Sequence, residues 1–151
     1  MESFGQPLSI SLPSGWTRLH GIIVMAALAI TVGSFLPWAT VEVFGVSINK
    51  AGTSGDGKLT LALGVATFAL LGVKKWGVIL AFVVMLVASC IALYDITDTT
   101  RRIGEINGMS SAVDASIGIG LWMVTIGSLC GLLATSALAR EQRALSRQSF
   151  E

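Results

Sequence analysis

Apolar residues along this chain come in four long runs. No Asp, Glu, Lys or Arg occurs from Leu19 to Val41, from Leu59 to Val73, from Trp76 to Tyr94 or from Ala115 to Ala139. Core helices of soluble proteins keep a polar stripe, and stretches such as Ile22 to Ile30 and Val78 to Leu86 show none. A helix crosses the ~30 Å hydrocarbon layer with about 20 apolar residues. The runs therefore predict an all-α membrane protein, with four transmembrane helices in an antiparallel bundle near 20–39, 58–74, 76–95 and 116–138. The second run is the shortest, and spans only with Lys58 outside its start and Lys74 snorkelling at its end. Arg18 ahead of an apolar run also suits a cleaved signal peptide, but FLPWATVEV lacks a small-x-small cleavage pattern, so the first helix is read as retained.

The connections carry their own patterns. TVEVFGVSIN alternates with a period of two on both sides of Gly45, which predicts a small strand hairpin in the first outer loop. An isolated hairpin is marginal, so this one is expected to rest on the second outer segment or on a partner. Little beyond Lys74, Lys75 and Trp76 joins the second and third helices, making them adjacent and antiparallel. In ITDTTRRIGEINGMSSAVDAS, Ile103, Ile106 and Met109 recur at helical spacing after a possible N-cap at Asp98. That predicts a short separate amphipathic helix lying over the bundle. The chain, 1–151, reads as one domain ending in a basic tail, 139–151.

Composition agrees with a membrane setting. Charged residues make up 13% of the chain, against about 25% in a soluble domain, and mean hydropathy is +0.77. Lys and Arg favour cytoplasmic loops. With both termini inside, Arg18, Lys74, Lys75, Arg140, Arg143 and Arg147 lie on the cytoplasmic side, against Lys50, Lys58, Arg101 and Arg102 outside. That asymmetry predicts a multi-pass protein of the bacterial cytoplasmic membrane with both termini cytoplasmic. Trp16 and Trp76 then fall at the inner boundary and Trp38 and Tyr94 at the outer one, as interfacial anchors.

Candidate chemistry is sparse. GTSGDGK, from Gly52, fits the start of a phosphate-binding loop, but Leu59 stands where the magnesium-binding Ser or Thr belongs. The stretch reads instead as a turn made by Gly55, Asp56 and Gly57, with glycines free to take positive φ and Asp56 complementing the dipole of the helix that follows. No span places a carboxylate, Lys or Arg at mid-membrane, and Asp95, at the outer end of the third, reads as an interfacial carboxylate; this counts against an ion-coupled carrier. His20 stands alone, and Cys90 and Cys130 fall at different depths, so neither a metal set nor a disulfide is expected. We expect no catalytic residues, no cofactor, no metal, no nucleotide and no nucleic acid.

Small residues offer more. Gly127-x-x-x-Gly131 in the fourth helix, with Gly120 above it, and Ala29-x-x-x-Gly33 in the first let helix backbones approach closely in lipid. They serve packing within the bundle or docking of another subunit.

SFLPWATVEVFGVSINKAGTSGDGKLTLALG resembles a group of small actinobacterial four-helix membrane proteins, with an LPW end to the first helix and a GDG turn before a Leu-rich second. The likeness covers roughly residues 16–73, and A-S-x-G-x-G-L-W at Ala115 to Trp122 is a weaker echo. The resemblance implies topology and host, and no activity. The first outer segment also looks broadly like that of claudin-type tetraspans, without their paired cysteines. The function expected is a non-enzymatic accessory or scaffold subunit of a larger bacterial membrane complex. Its partners would be the lipid bilayer and other membrane subunits or copies of itself. The alternative is a self-assembling pore, holin-like or claudin-like oligomer.

Overall fold

The structure is a computed structural model, and residues 17–73, 77–109 and 113–148 are described. Four helices, α1 (Arg18–Phe35), α2 (Gly57–Leu71), α3 (Gly77–Met109) and α4 (Ile119–Gln148), carry at one end a sheet of β1 (Pro37–Val43), β2 (Val46–Ala51) and β3 (Val113–Ile117). Each of α1 and α3 packs against α2 and α4, so the helices follow one another around a four-sided bundle. Three of them, over Arg18–Phe35, Gly77–Gly108 and Ile119–Ala144, are long and apolar enough to cross a membrane. α2 has 15 residues, about 22 Å at 1.5 Å per residue, and falls short of that length.

Several expected boundaries move. α1 stops at Phe35 because Pro37 pushes Leu36 into extended conformation, φ −76° and ψ 162°. The residues beyond it, expected to be helical to 39, begin β1. α3 runs without a break through the expected loop to Met109, so the separate amphipathic helix does not exist as such. Asp98 is not an N-cap; it lies inside α3 and accepts a hydrogen bond from Arg102 Nε at 2.7 Å, one turn on. Arg101 and Glu105 pair in the same way, at 3.3 Å. At 33 residues α3 is about 50 Å long, well over the ~30 Å of a hydrocarbon layer, so it projects past the bundle beside the sheet.

The expected hairpin is present. β1 and β2 pair antiparallel through a two-residue turn at Phe44 and Gly45, both with positive φ, 50° and 79°. This is the backbone that matches the twist of the flanking strands. β1 also pairs with β3, in the order β2-β1-β3, so the second connecting segment supplies the support that a lone hairpin lacks.

The core runs along α1, α3 and α4 through Ile23, Ile30, Met85, Leu121 and Val124, none of which is exposed. α1 and α4 are antiparallel and meet along a seam of small residues. A Cβ on Gly120 would stand 2.6 Å from the carbonyl oxygen of Gly33, and one on Gly33 2.9 Å from that of Gly120. Further along, Gly127 meets Ala29 and Ala26, and Gly131 meets Met85 of α3.

Candidate functional site: a carboxylate-lined cavity under the sheet

Alternation in β1 and β2 sends Val41, Ile48, Ala39 and Lys50 to one face of the sheet, and Thr40, Glu42, Ser47 and Asn49 to the other. On the second face, Thr40 Oγ1 donates to Asn49 Oδ1 at 2.9 Å. The first face looks onto the projecting part of α3, whose Asp95, Asp98, Arg102, Ile103 and Ile106 share one side at helical spacing. Between the two lies a cavity of about 510 Å³, closed at its base by Trp38 and the Gly52–Asp56 turn. This is within the size range of small-molecule sites.

Trp38 organises the base. The ladder is irregular between Pro37 and Ala39, and at this bulge the indole turns inward. Trp38 is 8% exposed, so it is a core residue and not the outward anchor expected at a membrane boundary. Its Nε1–H donates to the Gly33 carbonyl at 3.0 Å, and its own carbonyl accepts from Gly118 N–H at 2.8 Å. Gly52 N–H donates to the Leu36 carbonyl at 3.2 Å, so groups from the sheet and the turn satisfy open carbonyls at the end of α1.

The Gly55-Asp56-Gly57 turn leads into α2 as expected, but by different means. Among the described residues the one glycine with positive φ is Gly45. Close approach explains the turn instead: a Cβ on Gly52 would strike the Trp38 ring, and one on Gly57 would strike the backbone of Gly52. Asp56 is the N-cap residue of α2 yet makes no side-chain cap hydrogen bond. Its carboxyl belongs to the cavity, beside Asp95.

Asp95 is the most unusual group here. It is 7% exposed, and its Oδ2 has no hydrogen-bond partner. Nearby Asp98 is engaged by Arg102, whereas the neighbouring Asp56 brings a second carboxyl within hydrogen-bonding reach of Asp95. Asp56 lies far from Asp95 in the chain, and the sequence offered no sign that the two carboxyls would meet. Lys50 reaches the cavity from the sheet side, and Ile48, Val41, Ile103 and Ile106 make its walls largely apolar.

The other expected positions fall elsewhere. Gly33, Ala29, Gly120, Gly127 and Gly131 line the α1–α4 seam and its junction with α3, away from the cavity. Tyr94 is 67% exposed on the outside of α3. Trp16 and Trp76 lie outside the described residues. Cys90 and Cys130 are free thiols on exposed positions. His20 turns back to the start of α1, where its Nδ1 accepts from Thr17 N–H at 3.2 Å.

No protein family, curated protein or solved structure matches this chain.

Proposed function

We propose that the chain is a non-enzymatic accessory or scaffold subunit of a larger bacterial membrane complex. In this reading α2 is a fourth, short span, both termini are cytoplasmic, and the sheet stands at the outer face of the cytoplasmic membrane. The likeness of residues 16–73 to small actinobacterial tetraspan proteins agrees with that arrangement.

The observation that carries the proposal is the unequal treatment of the two sheet edges. On β3, the side-chain amide of Asn107 takes the place of a neighbouring strand. Its Oδ1 accepts from Ala115 N–H at 2.8 Å, and its Nδ2 donates to the Ala115 carbonyl at 3.2 Å. Because Ala115 faces outward and pairs with Val41, Val41 must turn its own backbone groups toward Ile48. The alternation then leaves the N–H and carbonyl of Ser47 and Asn49 facing out from β2. Among the described residues that edge has no such cap, and Phe44, Val46 and Ile48 beside it are exposed by 87%, 64% and 62%. An uncapped apolar edge is a template for another strand. Its occupant here is an extended segment of a partner subunit's outer part. A second contact surface is the apolar groove of about 330 Å³ between α1 and α4, with Ala29 and Gly127 in its floor and Met25, Trp122 and Ile126 at its sides.

Native mass measurement after mild solubilisation from the source membrane tests this reading. A complex with a subunit of different sequence is expected. Ser47→Pro, which removes only an outward-facing N–H, should release that subunit while leaving the chain's own melting unchanged. A homogeneous ring of this chain would favour a pore, and a lone monomer would refute both.

A further inference from the structure

We propose that the cavity beneath the sheet binds an organic ammonium carried on an apolar body. The ammonium sits on the Asp95 and Asp56 carboxylates, and the body lies against Ile48, Ile103 and Ile106. The inference does not depend on a partner at the β2 edge or on which way the chain faces in a membrane.

Three observations lead to it. First, Asp95 lines the cavity and is more than nine-tenths buried, and its Oδ2, covered from solvent, has no hydrogen-bond partner. A buried carboxylate oxygen without a donor is costly, and a ligand that donates hydrogen bonds relieves that cost. Second, the free negative charge is localised. Arg102 neutralises Asp98 through a 2.7 Å contact, which leaves Asp95 and Asp56 as adjacent carboxylates drawn from different elements. Third, apart from Lys50 at the sheet side, much of the remaining wall is apolar. Ile103 and Ile106 recur along one side of α3, and Ile48 faces them from the sheet.

Charge sign and size narrow the ligand further. A hard metal ion takes six to eight oxygen ligands, and among the described residues no group of three or more His, Cys, Asp or Glu is placed to hold one. A cavity of about 510 Å³ also far exceeds a bare ion. An anion would meet two carboxylates at the inner end. A neutral apolar molecule would leave Oδ2 of Asp95 as it is. A monocation with several carbons meets both halves of the cavity.

The ammonium could be soluble or could belong to a lipid headgroup, and the chemistry is the same. Calorimetric titration of n-hexylammonium into the full chain in phosphatidylcholine nanodiscs, with empty nanodiscs as the blank, tests the proposal. Saturable one-site binding is expected, with hexanoate and calcium giving none. Asp95→Asn should weaken hexylammonium binding at least tenfold. Ile103→Trp should weaken it comparably by filling the apolar half while leaving both carboxylates in place. Each variant is checked for wild-type helix content, and if one fails to fold the other decides. A weaker apparent affinity when phosphatidylethanolamine replaces part of the phosphatidylcholine assigns the site to a lipid-borne ammonium; an unchanged affinity assigns it to a soluble amine. Absence of saturable binding, equal binding by a folded variant, or calcium binding in place of hexylammonium would overturn the proposal.

Discussion

The α1–α4 seam and the cavity under the sheet lie within a few residues of each other, at Gly33 and Trp38, and they are built on opposite principles. Among the described residues of the bundle's interior, the buried hydroxyls are all engaged. The buried hydroxyls of Ser34, Thr67, Ser89, Thr125 and Thr135 each donate to a carbonyl of their own helix, at 2.8–2.9 Å. Ser128 does the same at 3.0 Å, and Thr60 donates across from α2 to the Ser34 hydroxyl of α1 at 2.9 Å. In the cavity, by contrast, a buried carboxylate oxygen is left without a partner next to a second carboxylate. Buried polar groups in folded proteins are almost always satisfied. The difference therefore separates a region whose contacts serve folding from one whose contacts await something else.

That contrast can be broken most sharply at the seam. Gly120→Leu would drive a side chain into the carbonyls of Gly33 and Leu36, which lie 2.6 and 2.8 Å from the position of a Cβ. Backbone cannot yield as a flexible side chain does, so a loss of about 3 kcal/mol or more is expected in reversible unfolding in mixed micelles. Gly131→Ala meets the flexible end of Met85 instead, at 2.6 Å from its sulfur, and should cost less because that side chain can move. Equal losses at the two sites would mean that the seam is looser than its geometry indicates.

Smaller effects sharpen the sheet side of the comparison. Asn107→Ala removes both hydrogen bonds to Ala115 and should cost about 1 kcal/mol, since the amide is solvent-exposed. Its diagnostic readout is faster hydrogen exchange at Ala115 N–H with no change at Ile48; unchanged exchange would show that the amide does not cap the edge. Smallest of all, Ser34→Ala deletes the hydroxyl shared with Thr60. Interhelical hydrogen bonds of this kind in membrane proteins average about 0.6 kcal/mol, so a shift of that order is expected in the same unfolding measurement.

How much of this was legible beforehand follows from the range of the interactions involved. The helices could be read because each coincides with a long uncharged apolar run, and the hairpin because Val41, Val43, Val46 and Ile48 alternate around Gly45. β3 was not, since VDASI has neither length nor strong strand propensity; it is extended because β1 and Asn107 supply its hydrogen bonds. The continuation of α3 was hidden by polar residues that resemble a loop, although Asp98 with Arg102 and Arg101 with Glu105 stand one helical turn apart and support helix. Trp38 has the composition of an interfacial anchor, and only the bulge that turns its ring onto Gly52 reveals its role in the core. The small-residue motifs pointed correctly to close helix approach, while the choice between an internal and an external face lay in the packing of α1 on α4. The cavity was the least legible feature, because it depends on Asp56 and Asp95 meeting from separate elements.

The central claim is that Asp95 is held for a ligand and not for the fold, and the free energy of unfolding of Asp95→Asn without added ligand tests it most directly. Replacing a buried carboxyl whose Oδ2 is unpartnered by a neutral amide that can donate to Asp56 should leave stability at or above wild type, by up to about 1–2 kcal/mol. A loss on the scale of Gly120→Leu would show that the carboxylate is a structural group and would contradict the account.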